Sequence, residues 1–183
     1  MTKIHARLFL CASLLVMWNT PVRADVRQPA EYEVKAAFLY NFAKFIAWPG
    51  RAGANRPFVV GLIGTDPFGT VLDDAMRGQS VQSRTVVIRR FSRIEDIGNC
   101  DILFVASSER AVLPRILAVL SRAPVLTVGD MDRFAERGGM INLTMDKNRV
   151  RFDINVAAMT RAGLRPGSQL LRLARLVSEA ESR

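Results

Sequence analysis

The run FVVGLIG, Phe58 to Gly64, sets the architecture of this chain. It is an unbroken apolar stretch with β-branched residues. A loop with glycine, asparagine and proline, Gly50 to Pro57, lies before it, and Thr65-Asp66-Pro67 follows it. A short run of this kind, with no polar alternation, reads as a strand buried on both faces, as the strands of parallel sheets are. Thr65-Asp66-Pro67 then opens a helix. Asp66 suits the N-cap and Pro67 the first helical position, and the helix closes near Gly78.

The alternation repeats along the chain. Arg84 to Phe91 (RTVVIRRF) is a second strand, and its outer arginines place it near a sheet edge. A short helical piece over Ser92 to Ile97 leads to a third strand, Asp101 to Ala106. Ser107 or Ser108 caps a helix through Arg122, with Glu109 in its first turn. Pro124 to Val128 is the fourth strand, and Met131 to Arg137 a short helix closed by Gly138-Gly139. The pattern then changes to apolar–polar alternation over Met140 to Asp146 and Arg149 to Asn155, a hairpin with Lys147-Asn148 at its turn. That register sets Leu143 opposite Phe152 and Ile141 opposite Ile154, with Asn142, Thr144, Arg151 and Asp153 on the other face. Val156 to Ala162 and Ser168 to Val177 are closing helices, the last with an apolar stripe of Leu170, Leu171, Leu173, Leu176 and Val177.

Upstream, Val34 to Pro49 (VKAAFLYNFAKFIAWP) is a helix running roughly from Tyr32 to Trp48, ended by Pro49. Val34, Phe38, Phe42 and Phe45 share one face at helical spacing, with Leu39 on its flank. Such a stripe packs on a sheet. The other reading leaves some of these aromatics exposed as a docking surface. Together the elements predict an α/β fold in three layers: a mostly parallel, Rossmann-like sheet with a C-terminal antiparallel hairpin and closing helices.

Residues 1–24 read as a secretory signal. Lys3 and Arg7 precede an apolar stretch from Leu8 to Trp18, and Val22-Arg23-Ala24 predicts cleavage after Ala24. The stretch is too short to span a bilayer. Residues 25–183 then form a single domain. Removing the signal takes away Lys3, Arg7 and Arg23 and no acid, so 26 basic residues fall to 23 against 17 acidic ones, a formal +6. An exported basic domain can meet an acidic partner or anionic headgroups; nucleic acid does not fit that compartment.

Two absences restrict the chemistry. The sole histidine, His5, lies in the signal, and Cys100 is the only cysteine after it. Without imidazole there is no histidine base, ligand or pH switch, and one cysteine closes no internal disulfide. The sequence offers no nucleophile–base pair, no cofactor fingerprint and no metal-ligand spacing, so the chain is read as a non-enzyme with no cofactor, no metal and no catalytic residue.

Four features remain as candidates. The turn Thr65, Asp66, Phe68 and Gly69 stands at the carboxyl end of a strand, where open α/β sheets gather ligands; the favoured reading is a plain capped turn. Asp101, Asp130 and Asp132 stand near strand ends, where paired acids can hold a metal or run acid–base chemistry; Asp130 and Asp132 flank a helix start, where acids cap. Arg149, Arg151, Arg161 and Arg165 form a basic group, read either as a solvated face or as a surface for an acidic partner or headgroups. Cys100 is a small core hydrophobe or a redox thiol.

The chain resembles the YfiR family. The likeness rests on the Val34 to Pro49 helix and on FVVGLIGTDPFG (Phe58 to Gly69), NCDILFVASSER (Asn99 to Arg110), PVLTVGD (Pro124 to Asp130), FAERGGMINL (Phe134 to Leu143) and RVRFDINVAAMTRAGLRPGSQLLRLARLV (Arg149 to Val177), in that order. The resemblance implies a periplasmic repressor that binds the periplasmic region of YfiN, a membrane-bound diguanylate cyclase, and is itself sequestered by YfiB, an outer-membrane lipoprotein. Cyclic di-GMP, biofilm and motility would follow. A homodimer stays open. The alternative is a small-molecule-binding accessory module of another membrane sensor, such as a histidine kinase. Some members of the family are associated with a disulfide-based redox response. Cys100 falls at a family cysteine, but this chain lacks the others that an internal switch needs.

Overall fold

The computed structural model describes residues 27–49 and 55–180. The signal and its cleavage site, residues 1–24, lie outside them.

The elements in chain order are α1 (Arg27–Phe45), β1 (Ile46–Ala47), β2 (Phe58–Ile63), α2 (Thr70–Met76), β3 (Ser80–Val81), β4 (Arg84–Phe91), β5 (Ile102–Val105), α3 (Leu113–Leu120), β6 (Leu126–Gly129), β7 (Ile141–Asp146), β8 (Arg149–Ile154), α4 (Val156–Arg161), β9 (Arg165–Pro166), α5 (Ser168–Leu173) and β10 (Arg175–Leu176). Short 3-10 segments, Ile94–Asn99 and Ser107–Glu109, precede β5 and α3. An eight-stranded sheet runs in the order β10-β8-β7-β6-β5-β2-β4-β3. Its strands are parallel except at the β7–β8 and β3–β4 pairs. A separate antiparallel pair joins β1 to β9. The fold class is the expected one: a mixed, mostly parallel α/β sheet with helices against it.

β2 shows how the sequence makes the layers. All six of its residues are buried. Phe58, Val60 and Leu62 enter the core beneath α1, α2, α4 and α5, while Val59 and Ile63 enter a second core beneath α3. Period-two alternation divides one apolar run between two cores. Gly61 faces the second core because a Cβ there would stand 2.6 Å from Phe91 Cε2 and 3.2 Å from Cys100 Sγ.

The hairpin has the expected register. Ile141 pairs with Ile154 and Leu143 with Phe152. Lys147 and Asn148 take φ of 46° and 63°, the left-handed pair that a two-residue turn of matching twist requires. β4 lies next to the short edge strand β3, as its arginines suggested.

Several expectations are corrected. The helix α1 ends at Phe45, and Ile46–Ala47 leave it to pair with Arg165–Pro166. Its buried face is turned from the expected one: Lys35, Ala36, Leu39, Phe42 and Ala43 are buried, whereas Val34 and Phe45 are 45% and 40% exposed. Lys35 points inward to a carboxylate, and this sets the rotation. Each fully buried Leu or Phe on that face contributes about 1.5–3 kcal/mol.

The helix after β2 starts at Thr70 rather than at Pro67. Asp66 Oδ1 accepts from the amides of Phe68 and Gly69, at 2.7 and 3.2 Å, and so caps a turn before the helix. Met131 to Arg137 is a run of turns instead of a helix, with Arg133 at φ 56°. The last helix stops at Leu173. Arg175 Nε and Nη2 reach Asp153 Oδ1 and Oδ2 at 2.7 and 2.6 Å, drawing residues 175–176 into a strand parallel to β8. Leu173 and Leu176 of the expected stripe are therefore exposed.

At the amino ends of the central strands, Asp101 is fully buried and binds Arg84 Nη2 at 2.7 Å, Arg56 Nη2 at 2.8 Å and the Val59 amide at 2.9 Å. It staples β2, β4 and β5.

Candidate functional site

The carboxyl ends of the parallel strands form the edge where sheets of this class place ligands. β2 ends in Gly64 at φ 96°, where a Cβ would collide with Ser108 Oγ at 2.4 Å and Glu109 Cγ at 2.8 Å. Only glycine fits this close approach of two strand ends. Beyond it, the Thr65 amide donates to Ser108 Oγ at 2.9 Å, and Ser108 donates to Glu109. Ser108 therefore ties the β2 turn to the β5 turn.

Of the four turn residues singled out in the sequence, Thr65 and Gly69 are exposed and Asp66 is half-buried. Asp66 Oδ2 accepts from Arg90 Nε at 2.8 Å, and the same guanidinium reaches Asp73 Oδ2 at 2.6 Å. Hydrogen bonding from Arg90 holds the Asp73 carboxyl below its ordinary range. Phe68 is 3% exposed, and its ring meets Phe104 and Tyr32 edge-on at 4.8 and 5.1 Å. It serves the core rather than the surface.

Tyr32 carries this aromatic chain to a charged cluster. Its hydroxyl donates to Asp130 Oδ2 at 2.9 Å, and Lys35 Nζ donates to the same oxygen at 2.7 Å. Lys35 also pairs with Glu31 at 2.6 Å and lies 4.4 Å from the centre of the Tyr32 ring. Burial, reinforced by Asp130, raises the Tyr32 phenol well above its ordinary value. The Lys35 and Asp130 side chains are 4% and 6% exposed. They border a cleft of about 320 Å³ that also holds Asp132, Arg133, Glu136 and Arg175. Asp132 is exposed there, while Asp130 is an ion-pair anchor instead of a helix cap.

The sequence did not single out this cluster. Its signal was present: Glu31 and Lys35 stand at i,i+4, and Lys35 interrupts an apolar helix face.

The basic residues are spread over three elements. Arg149 and Arg151 are exposed on β8, opposite Asp146 and Thr144. Arg161 ends α4 and pairs with Glu179 at 2.7 Å, and Arg165 is exposed on β9. Cys100 is fully buried, its Sγ donating to the Ile97 carbonyl at 3.1 Å. Oxidation there would require local opening.

Among the described residues, no group of three or more His, Cys, Asp or Glu side chains could hold a metal, and no helix is long and apolar enough to cross a membrane. The arrangement offers ion pairs, clefts and exposed basic side chains. These are means of binding.

Two solved structures match this chain at low identity. An ABC domain in complex with L-Trp from Streptococcus pneumonia matches at 11% identity with a TM-score of 0.51, over 81% of this chain and 60% of that one. The TorS sensor domain–TorT complex, in the absence of ligand, matches at 14% identity with a TM-score of 0.38, over 84% and 53%. The chain thus spans a little over half the length of each, and the first likeness concerns the fold. The profile of the YfiR/HmsC-like family matches residues 32–175, from Tyr32 on α1 to Arg175 on β10. A match across nearly the whole described body means that the chain belongs to the YfiR/HmsC-like family.

Proposed function

We propose that this protein is a periplasmic regulator that binds the periplasmic region of a membrane-bound sensor, a YfiN-like diguanylate cyclase, and represses it. The observation that carries the reading is the family match over residues 32–175, since the family is one of periplasmic-type regulatory domains. The site chemistry is consistent with it. The charged groups at the carboxyl edge hold one another in ion pairs, and the polar groups left exposed, Thr65, Arg149, Arg151 and Arg165, suit contact with another surface. A regulator shifts a sensor only by its difference in affinity for the two states of that sensor. Repression therefore needs preferential binding to the inactive form and no reaction. A YfiB-like lipoprotein that competes for the same surface would release the cyclase.

Crosslinking in intact cells tests the receptor. Tagged, exported protein should capture an inner-membrane protein with a cyclase domain; recovery of no membrane sensor would remove this version.

The cleft beside Lys35 and Asp130 favours one second reading, an accessory module that presents a small ligand to another membrane sensor such as a histidine kinase. A flat thermal-shift screen of periplasmic metabolites would count against it.

A further inference from the structure

A second cleft, of about 400 Å³, is lined by residues of α3 and α4 and by Arg137, Gly138 and Met140. It differs from the charged cleft. Leu117, Leu120, Met140 and Ala158 contribute apolar lining, and Arg137 and Arg161 add two guanidinium groups. Arg137 Nη2 donates to the Arg110 carbonyl at 3.3 Å and forms no ion pair among the described residues. Arg161 Nη2 is held by Glu179 Oε2 at 2.7 Å.

Glu179 does not come from the cleft walls. It stands on the segment after β10, which is pinned by the Val177 amide to the Ile154 carbonyl and by the Ala180 amide to the Glu136 carbonyl, at 3.0 and 2.8 Å. The segment lays a carboxylate over the cleft. Gly138 makes the room. At φ 98°, a Cβ there would stand 3.1 Å from Glu179 Oε1 and 3.4 Å from Leu117 Cδ1.

We infer that this cleft binds a small molecule with a carboxylate on an apolar body, and that Glu179 holds the carboxylate's place on Arg161 in its absence. The volume lies in the range of small-ligand sites, and an apolar lining with a few convergent polar groups is their usual composition. A guanidinium fork is the side chain best matched to a carboxylate, and Arg137 supplies a second cation. The Arg161–Glu179 pair is about half exposed on both sides, so it holds weakly and yields readily. A ligand carboxylate would replace it while the ligand body covers Leu117 and Met140, which Glu179 cannot do. An amine would meet two positive charges. This site is separate from the turn at Thr65–Gly69, and the inference does not depend on which receptor the protein meets.

Calorimetry on the purified protein tests it, with phenylacetate as probe and phenylacetamide as its neutral counterpart. Phenylacetate should bind about tenfold more tightly than the amide. Glu179→Gln, which removes the internal competitor, should tighten phenylacetate several-fold. Arg161→Ala should weaken it about tenfold or more, with the circular dichroism spectrum unchanged. Absence of phenylacetate binding, equal binding of acid and amide, an unchanged affinity in Glu179→Gln, or an unchanged affinity in Arg161→Ala would each overturn the inference.

Discussion

Lys35 and Asp130, separated by 95 positions in the chain, meet as a buried ion pair, Nζ to Oδ2 at 2.7 Å. The contact fixes the rotation of α1 over the sheet and joins that helix to the carboxyl end of β6. Removing one partner strands the other charge away from water. Lys35→Met should therefore destabilise the fold by about 3–5 kcal/mol. Lys35→Met with Asp130→Asn should be less destabilised than Lys35→Met alone. Urea unfolding midpoints check both, and a double variant as unstable as the single one would refute the pair.

The same carboxylate governs Tyr32. Burial, and then Asp130, keep the phenol protonated above its ordinary value of 10.0. Because the folded value is the higher one, the protonated phenol contributes stability fully below about pH 10, and that contribution is lost as pH climbs through the folded value. Absorbance titration of the folded protein should show a late-ionising tyrosine that Tyr32→Phe removes. Loss of an early component instead would refute the assignment.

Phe134 lies between two glycines. A Cβ on Gly139 would stand within 2.8 Å of its Cε1, Cδ1 and Cζ atoms, and one on Gly129 would come within 2.9 Å of its opposite edge. Gly139→Ala should therefore destabilise by about 1–3 kcal/mol through overpacking. In combination with Phe134→Leu the two costs should fall short of their sum. Thermal unfolding of the single and double variants reads this; strict additivity would contradict the contact.

Much of the fold was legible because the relevant signals are local. β2 is an unbroken apolar run, and the β7–β8 register follows from alternation around Lys147-Asn148. The misplaced boundaries share one cause, a long-range polar contact that overrides local preference. Arg175 ends the last helix by reaching Asp153, 22 positions earlier, and Asp66 serves its own turn and Arg90 in place of a helix N-terminus. Apolar periodicity predicted Val34 and Phe45 on the buried face of α1, but the Lys35–Asp130 pair turns that face towards Lys35, Leu39 and Ala43. The carboxyl-edge cluster was hidden for the same reason. Tyr32 and Lys35 are neighbours on one helix, but no local spacing points to Asp130, and only the topology brings it to them.

The regulatory reading meets its most direct measurement in cyclic di-GMP, extracted from cells with the gene deleted and from cells complemented with the exported protein. Deletion should raise the pool, and complementation should return it to the starting level. An unchanged pool in both strains would contradict repression of a diguanylate cyclase.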